Sequence, residues 1–365
     1  MAYLPLSTAN LPDPAIDPAQ GSSPEDYFNT LAYDGTGVNP TTHTGVGFQP
    51  DFVWMHPRSR ADNHNLFNVL SGAGQRLNSN NTSAETFTTH FISFDSDGFT
   101  TTADSGYNQS GQTYVAWNWK ANGSGVSNTD GLTPSTVSAN TESGFSIVSY
   151  TGSTNESVGH GLDQAPECIL VKNRDASSAW AVYHQGVQDV TANGFLELNQ
   201  PYAVQTGSNP RFLSGTAGTS QPTSTVFYVN NYSGSTTNNT GNDYIAYCFH
   251  SVEGFSKFGS YEGTNNADGP FIYLGFRPKF FLLKNVDSAL QWIIFDGERD
   301  PYNVVGKRIF PNLSNAESAV PSNSAMDFLS NGVKIKVAGG YDINDTGTYI
   351  YMAFAENPFK YSNAR

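Results

Sequence analysis

The sequence predicts an all-β chain built as three tandem antiparallel β-sandwich repeats, of jelly-roll or lectin-like type, behind an extended N-terminal arm. Three observations predict it: an internal threefold repeat, short apolar segments bounded by turn residues, and no apolar spacing of helical period over a helix-length window.

The repeat is read from spacings. Pro50, Pro166 and Pro278 each precede an apolar run, Phe52–His56, Cys168–Lys172 and Phe280–Lys284. Upstream of these prolines by 17, 16 and 17 residues stand Tyr33, Tyr150 and Tyr261, each followed two residues later by Gly35, Gly152 or Gly263. Phe28, Phe145 and Phe255 lie five or six residues further back. Six residues past each proline come His56, Lys172 and Lys284, and fourteen past it come His64, Trp180 and Trp292. Each copy closes on a tyrosine-led segment, Tyr114–Trp119, Tyr244–Phe249 or Tyr349–Phe354.

Copies of about 105 to 110 residues are longer than a propeller blade or solenoid turn and approach domain size. The boundaries read as a Pro-rich arm at 1–26, repeat one at 27–121, a Gly, Ser, Thr and Asn-rich linker at 122–143, repeat two at 144–252 and repeat three at 253–365. The post-proline runs are apolar at consecutive positions, which predicts strands covered on both faces. The proline itself belongs where a strand begins, because it cannot donate to a central ladder.

In the arm, Pro5, Pro12, Pro14, Pro18 and Pro24 prevent helix and central strand. Its apolar positions, Leu4, Pro5, Leu6, Leu11, Pro12 and Ile16, are the expected assembly contacts, made either to the chain's own domains or to a neighbouring subunit.

Composition narrows the function. The 365 residues carry 32 acids against 18 Lys and Arg, a formal charge of −14, so nucleic acid is not an expected partner. Only 14% of residues are charged, with Ser, Thr, Asn and 35 Gly filling the polar share, as short strands and turns require. No apolar stretch is long enough for a membrane span, and no secretory leader is visible, so no membrane insertion is expected. Two cysteines, Cys168 and Cys248, exclude a disulfide framework; buried free thiols are expected, one bridge being the alternative.

Candidate chemistry is sparse, and the reading is that the chain is not an enzyme. The histidines show no metal-binding spacing, and His160 in Gly159-His-Gly161 reads as a turn residue. Asp95-Ser-Asp97-Gly98 and Asp342-Ile-Asn344-Asp345 are fragments of calcium-loop patterns that turn chemistry explains without an ion. Asp296-Gly-Glu298-Arg-Asp300 is the one acidic cluster that could flank a glycosidic bond, but copy two lacks it, so it reads as an exposed hairpin tip. No cofactor or metal is expected. Loops rich in Asn, Thr and Ser, with Tyr228 and Tyr232 able to stack on sugar rings, are the candidate ligand-binding positions.

The phrases Gly47-Phe-Gln-Pro-Asp-Phe-Val-Trp54, Tyr114-Val-Ala-Trp-Asn-Trp-Lys120, Gly144-Phe-Ser-Ile-Val-Ser-Tyr-Thr-Gly152, Val158-Gly-His-Gly161, Val171-Lys-Asn-Arg174 and Tyr349-Ile-Tyr-Met-Ala-Phe-Ala-Glu356 resemble a repeat module of marine tailed bacteriophages, cyanophages included. That module occurs in virion structural proteins of tail-fibre or lectin-like description. Over residues 27–365 the resemblance implies a virion component: a tail-fibre or appendage protein with lectin-like modules that display loops to a host-surface glycan, anchored through its arm. The alternatives are a capsid decoration or connector protein and, as a minor one, a polysaccharide depolymerase. Other phage virion proteins are the expected partners, and a homo-oligomer, guessed a trimer, is expected. Copy one departs from the module by carrying His56-Pro57-Arg58 where the others carry Lys-Asn.

Overall fold

The computed structural model describes residues 11–206, 211–212, 221–230, 236–320 and 325–362. Each repeat contributes the same four-stranded antiparallel sheet. The opening strands are Phe28–Asp34, Phe145–Thr151 and Ser256–Gly263; the closing strands are Thr113–Trp119, Asp243–Phe249 and Gly347–Pro358. Beside each closing strand runs the proline strand, Phe52–Pro57, Cys168–Asn173 or Phe276–Asn285, and outside that a fourth strand, Asn65–Asn68, Ala181–His184 or Ile293–Asp296.

Register fixes the equivalences. Tyr33, Tyr150 and Tyr261 face Tyr114, Tyr244 and Tyr349, and their rings stack at 5.1, 5.2 and 4.9 Å. Phe28 and Phe145 face Trp119 and Phe249, whereas Ser256 faces Phe354, so the third copy's counterpart is Ser256 and not Phe255.

The repeat glycines are explained by close approach of backbone. A Cβ at Gly35, Gly152 or Gly263 would lie 2.0, 2.3 or 1.9 Å from the carbonyl oxygen of Gln109, Asn239 or Asp345. In each copy the residue before that carbonyl is an asparagine, Asn108, Asn238 or Asn344, whose Oδ1 accepts the amide N–H of Thr36, Ser153 or Thr264.

The consecutive apolar residues of the proline and closing strands divide with period two. Phe52 and Trp54, Cys168 and Leu170, and Phe280 and Leu282 enter one common core, together with Trp117, Trp119, Tyr247, Phe249, Met352 and Phe354. Their neighbours Val53 and Met55, Ile169 and Val171, and Phe281 and Leu283 enter separate cores, one per repeat. A small sheet or hairpin accompanies each repeat's large sheet: Thr41–Thr44 with Gly98–Thr101 and Phe91–Asp95, Ser157–Gly159 with Val226–Tyr228, and Phe271–Tyr273 with Gly332–Ile335 and Met326–Leu329.

The repeats are therefore wound about one axis. Trp119, Phe249 and Phe354, equivalent in the closing strands, form a triangle with centroid separations of 6.5, 6.0 and 5.7 Å and edge-on ring geometry. Two cycles of polar contacts run around it. Asn68 donates to the Tyr247 hydroxyl, His184 to the Tyr351 carbonyl, and Trp117 to Asp296, each at 3.1 Å, joining repeat one to two, two to three and three to one. In the opposite sense, Trp180 donates to the Asn78 carbonyl at 2.8 Å, Trp292 to the Glu197 carbonyl at 3.1 Å and His64 to the Phe310 carbonyl at 3.1 Å. His64 donates through Nε2 because its Nδ1 accepts the Trp54 indole N–H.

Several expectations are corrected. The segment 122–143, read as a linker, holds strands Val126–Asn128 and Ser135–Asn140, which with Leu196–Glu197 at the opposite edge extend the second sheet to seven strands. Val137 and Ala139, alternating with polar residues, turn inward there and cover the free side of the Phe145–Thr151 strand. Pro50 and Pro166 precede their strands, but Pro278 lies within its strand, where the pairing register shifts at a bulge that accommodates its missing N–H.

The arm from residue 11 lies on its own chain. Ile16 is fully buried in the common core, Ala15 donates to the Glu253 carbonyl, and the Tyr361 hydroxyl donates to Asp17 at 2.6 Å. Leu11 is half-buried and Pro12 exposed, while Leu4, Pro5 and Leu6 lie outside the described residues.

Candidate functional site

The acidic cluster is structural. Asp296 is buried, not an exposed hairpin tip: its carboxylate pairs with the fully buried Arg299 at 2.6 Å and accepts the Trp117 indole N–H. Arg299 also reaches Glu317, which Arg58 of repeat one engages through both oxygens. Glu298 pairs with Lys279 at 2.8 Å, and Asp300 accepts the amides of Gly306 and Lys307. All three carboxylates are committed to folding contacts, leaving no matched pair facing one open site.

The other candidates resolve similarly. His160 is buried rather than a free turn residue; it bonds the Thr223 carbonyl, accepts the Leu162 N–H, and burial pushes it down to about 4. Asp97 accepts the amides of Gly45 and Gly47, and Asp95 accepts the hydroxyls of Ser93 and Thr100. Among the described residues no group of three or more His, Cys, Asp and Glu side chains is arranged to hold a metal ion. Cys168 points into the common core and Cys248 into the repeat-two core; both thiols are free.

The position occupied by His56, Lys172 and Lys284 is buried in all three repeats. Lys172 donates to the Asn173 carbonyl at 2.7 Å, and Lys284 to the carbonyls of Asn285 and Ser288, so each ammonium closes the turn that follows its strand. Desolvation pushes Lys172 down to about 8 and Lys284 to about 7. His56 instead bonds the Asn315 carbonyl of repeat three. The shared role is the closing of a carbonyl-rich turn or seam, and no exposed lysine site exists here.

Of the two tyrosines read as ligand-binding, Tyr228 is half-buried at the end of the short strand paired with Ser157, and Tyr232 lies outside the described residues.

An open cavity lies where repeats two and three meet the arm. A cleft of about 530 Å³ is walled by Leu11, Pro12 and Pro14 of the arm, Gln164 and Glu167 of repeat two, Glu253 and Lys257 at the junction, Tyr273 of repeat three, and Pro358 to Lys360 at the end of the last strand. Two further clefts, of about 330 and 480 Å³, share Gln164 and Ser251 with it. The depression has a physical origin. Repeats one and two are separated by the strands of 122–143, whereas repeats two and three are joined by the short connection 250–255, against which the arm lies through Pro14 and Ala15.

Its chemistry is mixed, with the acids Glu142, Glu167 and Glu253 beside Lys257 and Lys360. Lys257 donates to the Tyr273 carbonyl at 2.9 Å and sits 5.2 Å from the centre of the Tyr273 ring; desolvation holds its ammonium below the usual lysine range. Glu167 accepts the Ser251 amide and hydroxyl, and Lys360 is paired with Asp13. The Tyr273 ring is 56% exposed. Sequence spacing could not single out this site, because its walls come from five segments distant in the sequence.

No curated protein and no solved structure matches the chain. A family model described as a domain of unknown function (DUF7483) matches residues 23–358, which span the body from the turn before the first strand to the end of the last. The chain belongs to that family.

Proposed function

We propose that the chain is a non-enzymatic structural component of a tailed-phage particle, serving in an appendage of tail-fibre kind that presents its loops and junction cleft to the host surface. The observation that supports it is the cyclic closure of three repeats around one core, which ties the modules into one body. The commitment of Asp296, Glu298 and Asp300 to folding contacts weighs against a depolymerase. The particle identity rests on the sequence resemblance. In this reading the partners are other particle proteins and a host-surface glycan, and the protein resides on the virion.

A second reading, a capsid decoration or connector protein, is favoured by the same closure, because a body with internal threefold order matches a local threefold position on a shell. Gold-tagged antibody against the chain separates the two on intact virions. Label confined to the tail supports the appendage; uniform label over the head replaces it with decoration. No label on either sinks both.

A further inference from the structure

We infer that the branched depression at the junction of repeats two and three is a binding site for an uncharged oligosaccharide, with Tyr273 as its stacking ring. The inference deepens the appendage reading and rests on it for the source of the ligand.

Three features select this ligand class. The first is size: the largest branch, about 530 Å³, falls within the roughly 300–1,000 Å³ of small-molecule sites, and two more branches open from the same centre at Gln164 and Ser251. A branched space suits a ligand of several linked rings. The second is hydrogen-bonding capacity left unspent. The side chains of Gln164 and Glu253 are exposed and bond to no described residue, and His250 Nε2, on a ring 2% exposed that lines two of the branches, has no hydrogen-bond partner and lies 3.7 Å from Asp163. Hydroxyl groups, which both donate and accept, match an amide, a carboxylate and an imidazole together.

The third feature is an exposed aromatic face without excess positive charge. Tyr273 offers its ring at the rim; of the cations there, Lys360 is already paired with Asp13, while Glu142 joins Glu167 and Glu253 along the branches. An anionic ligand would find no excess of cations, on a chain whose formal charge is −14.

The test uses the full chain against a panel of neutral gluco-, manno- and galacto-oligosaccharides of about six units, read by saturation-transfer NMR and titration. Binding by at least one of them is expected, weakened about tenfold by Tyr273→Ala and by Gln164→Ala, and unchanged by Tyr202→Ala, which alters an equally exposed tyrosine outside the depression. All three positions are at the surface, and unaltered thermal unfolding verifies that the variants fold. Binding that survives both depression variants, or no binding across the panel, overturns the site. Preferential capture of a proline-rich peptide at Tyr273 overturns the ligand class. The outcomes separate from those of virion labelling: tail label without oligosaccharide binding keeps the appendage and discards the site, whereas head label with Tyr273-dependent binding keeps the site and discards the appendage.

Discussion

Trp117 donates its indole N–H to Asp296 Oδ2 across 3.1 Å, tying the closing strand of the first repeat to the fourth strand of the third. The carboxylate holds Arg299 with its other contacts, and both charges are removed from water. Removing one partner of a buried pair costs about 3–5 kcal/mol because the other charge is left uncompensated. Asp296→Ala is accordingly expected to lower unfolding stability by that amount. Trp117→Phe, which keeps most of the ring but removes one of the two side-chain donors to Oδ2, the other being Arg299, is expected to cost about 1–3 kcal/mol. Urea unfolding measures both, and wild-type stability in Asp296→Ala would contradict the assignment.

The glycines beside the stacked tyrosines give a second expectation. Gly152→Ala places a Cβ 2.3 Å from the Asn239 carbonyl oxygen, so the backbone must move, at a cost of about 1–3 kcal/mol. Gly297→Ala, whose nearest neighbour would be 3.8 Å away, is the matched control and is expected to change stability by less than about 0.5 kcal/mol. Equal effects at the two positions would remove close approach as the reason for the repeat glycine.

Acid should loosen the body through its histidines. Burial pushes His43, His56, His160 and His184 from 6.5 down to about 4. The unfolded chain then binds more protons than the folded one below about pH 6.5, so the histidines' contribution to stability is complete above that pH, falls as pH drops towards 4, and levels off below. Urea midpoints at pH 7.5, 6 and 5 are expected to decline in that order. A flat or rising series would contradict the buried neutral state of these rings.

The thiols make a chemical test of register. Ile169 and not Cys168 faces Cys248, and alternation sends the two sulfurs to opposite faces of one sheet. Burial raises both thiols far above their ordinary value. A thiol reagent is expected to label neither in the native protein and both in guanidinium, with no change on prior reduction. Native labelling would show that one of the cores is open to solvent.

Much of the fold was legible in the sequence because its constraints recur at fixed spacing. The tyrosine, glycine and proline of each copy act within one sheet, so loop length cannot displace them. The consecutive apolar runs announced strands covered on both faces, yet not what covers them: that Phe52, Cys168 and Phe280 share a single core depends on how the repeats wind, which periodicity does not encode. A further repeat element escaped notice for a related reason. Asn80, Asn199 and Asn312 accept the amides of His64, Trp180 and Trp292 across 16, 19 and 20 residues, the gap varying with the intervening loop. The candidate site was hidden more completely, since Gln164, Glu253 and Tyr273 are brought together only by the shortness of the connection between repeats two and three. Tyr228 is a candidate by residue type and by its Asn- and Thr-rich neighbourhood, and neither reveals that its side chain is half-buried.

The central claim is that three repeats form one body around the Trp119, Phe249 and Phe354 triangle. Scanning calorimetry of the full chain tests it most directly. The shared core predicts one transition, with calorimetric and van't Hoff enthalpies equal, and a Phe249→Ala variant in which that whole transition moves down together. Separable transitions for the repeats, or a Phe249→Ala variant that shifts only the unfolding of residues 144–252, would contradict it.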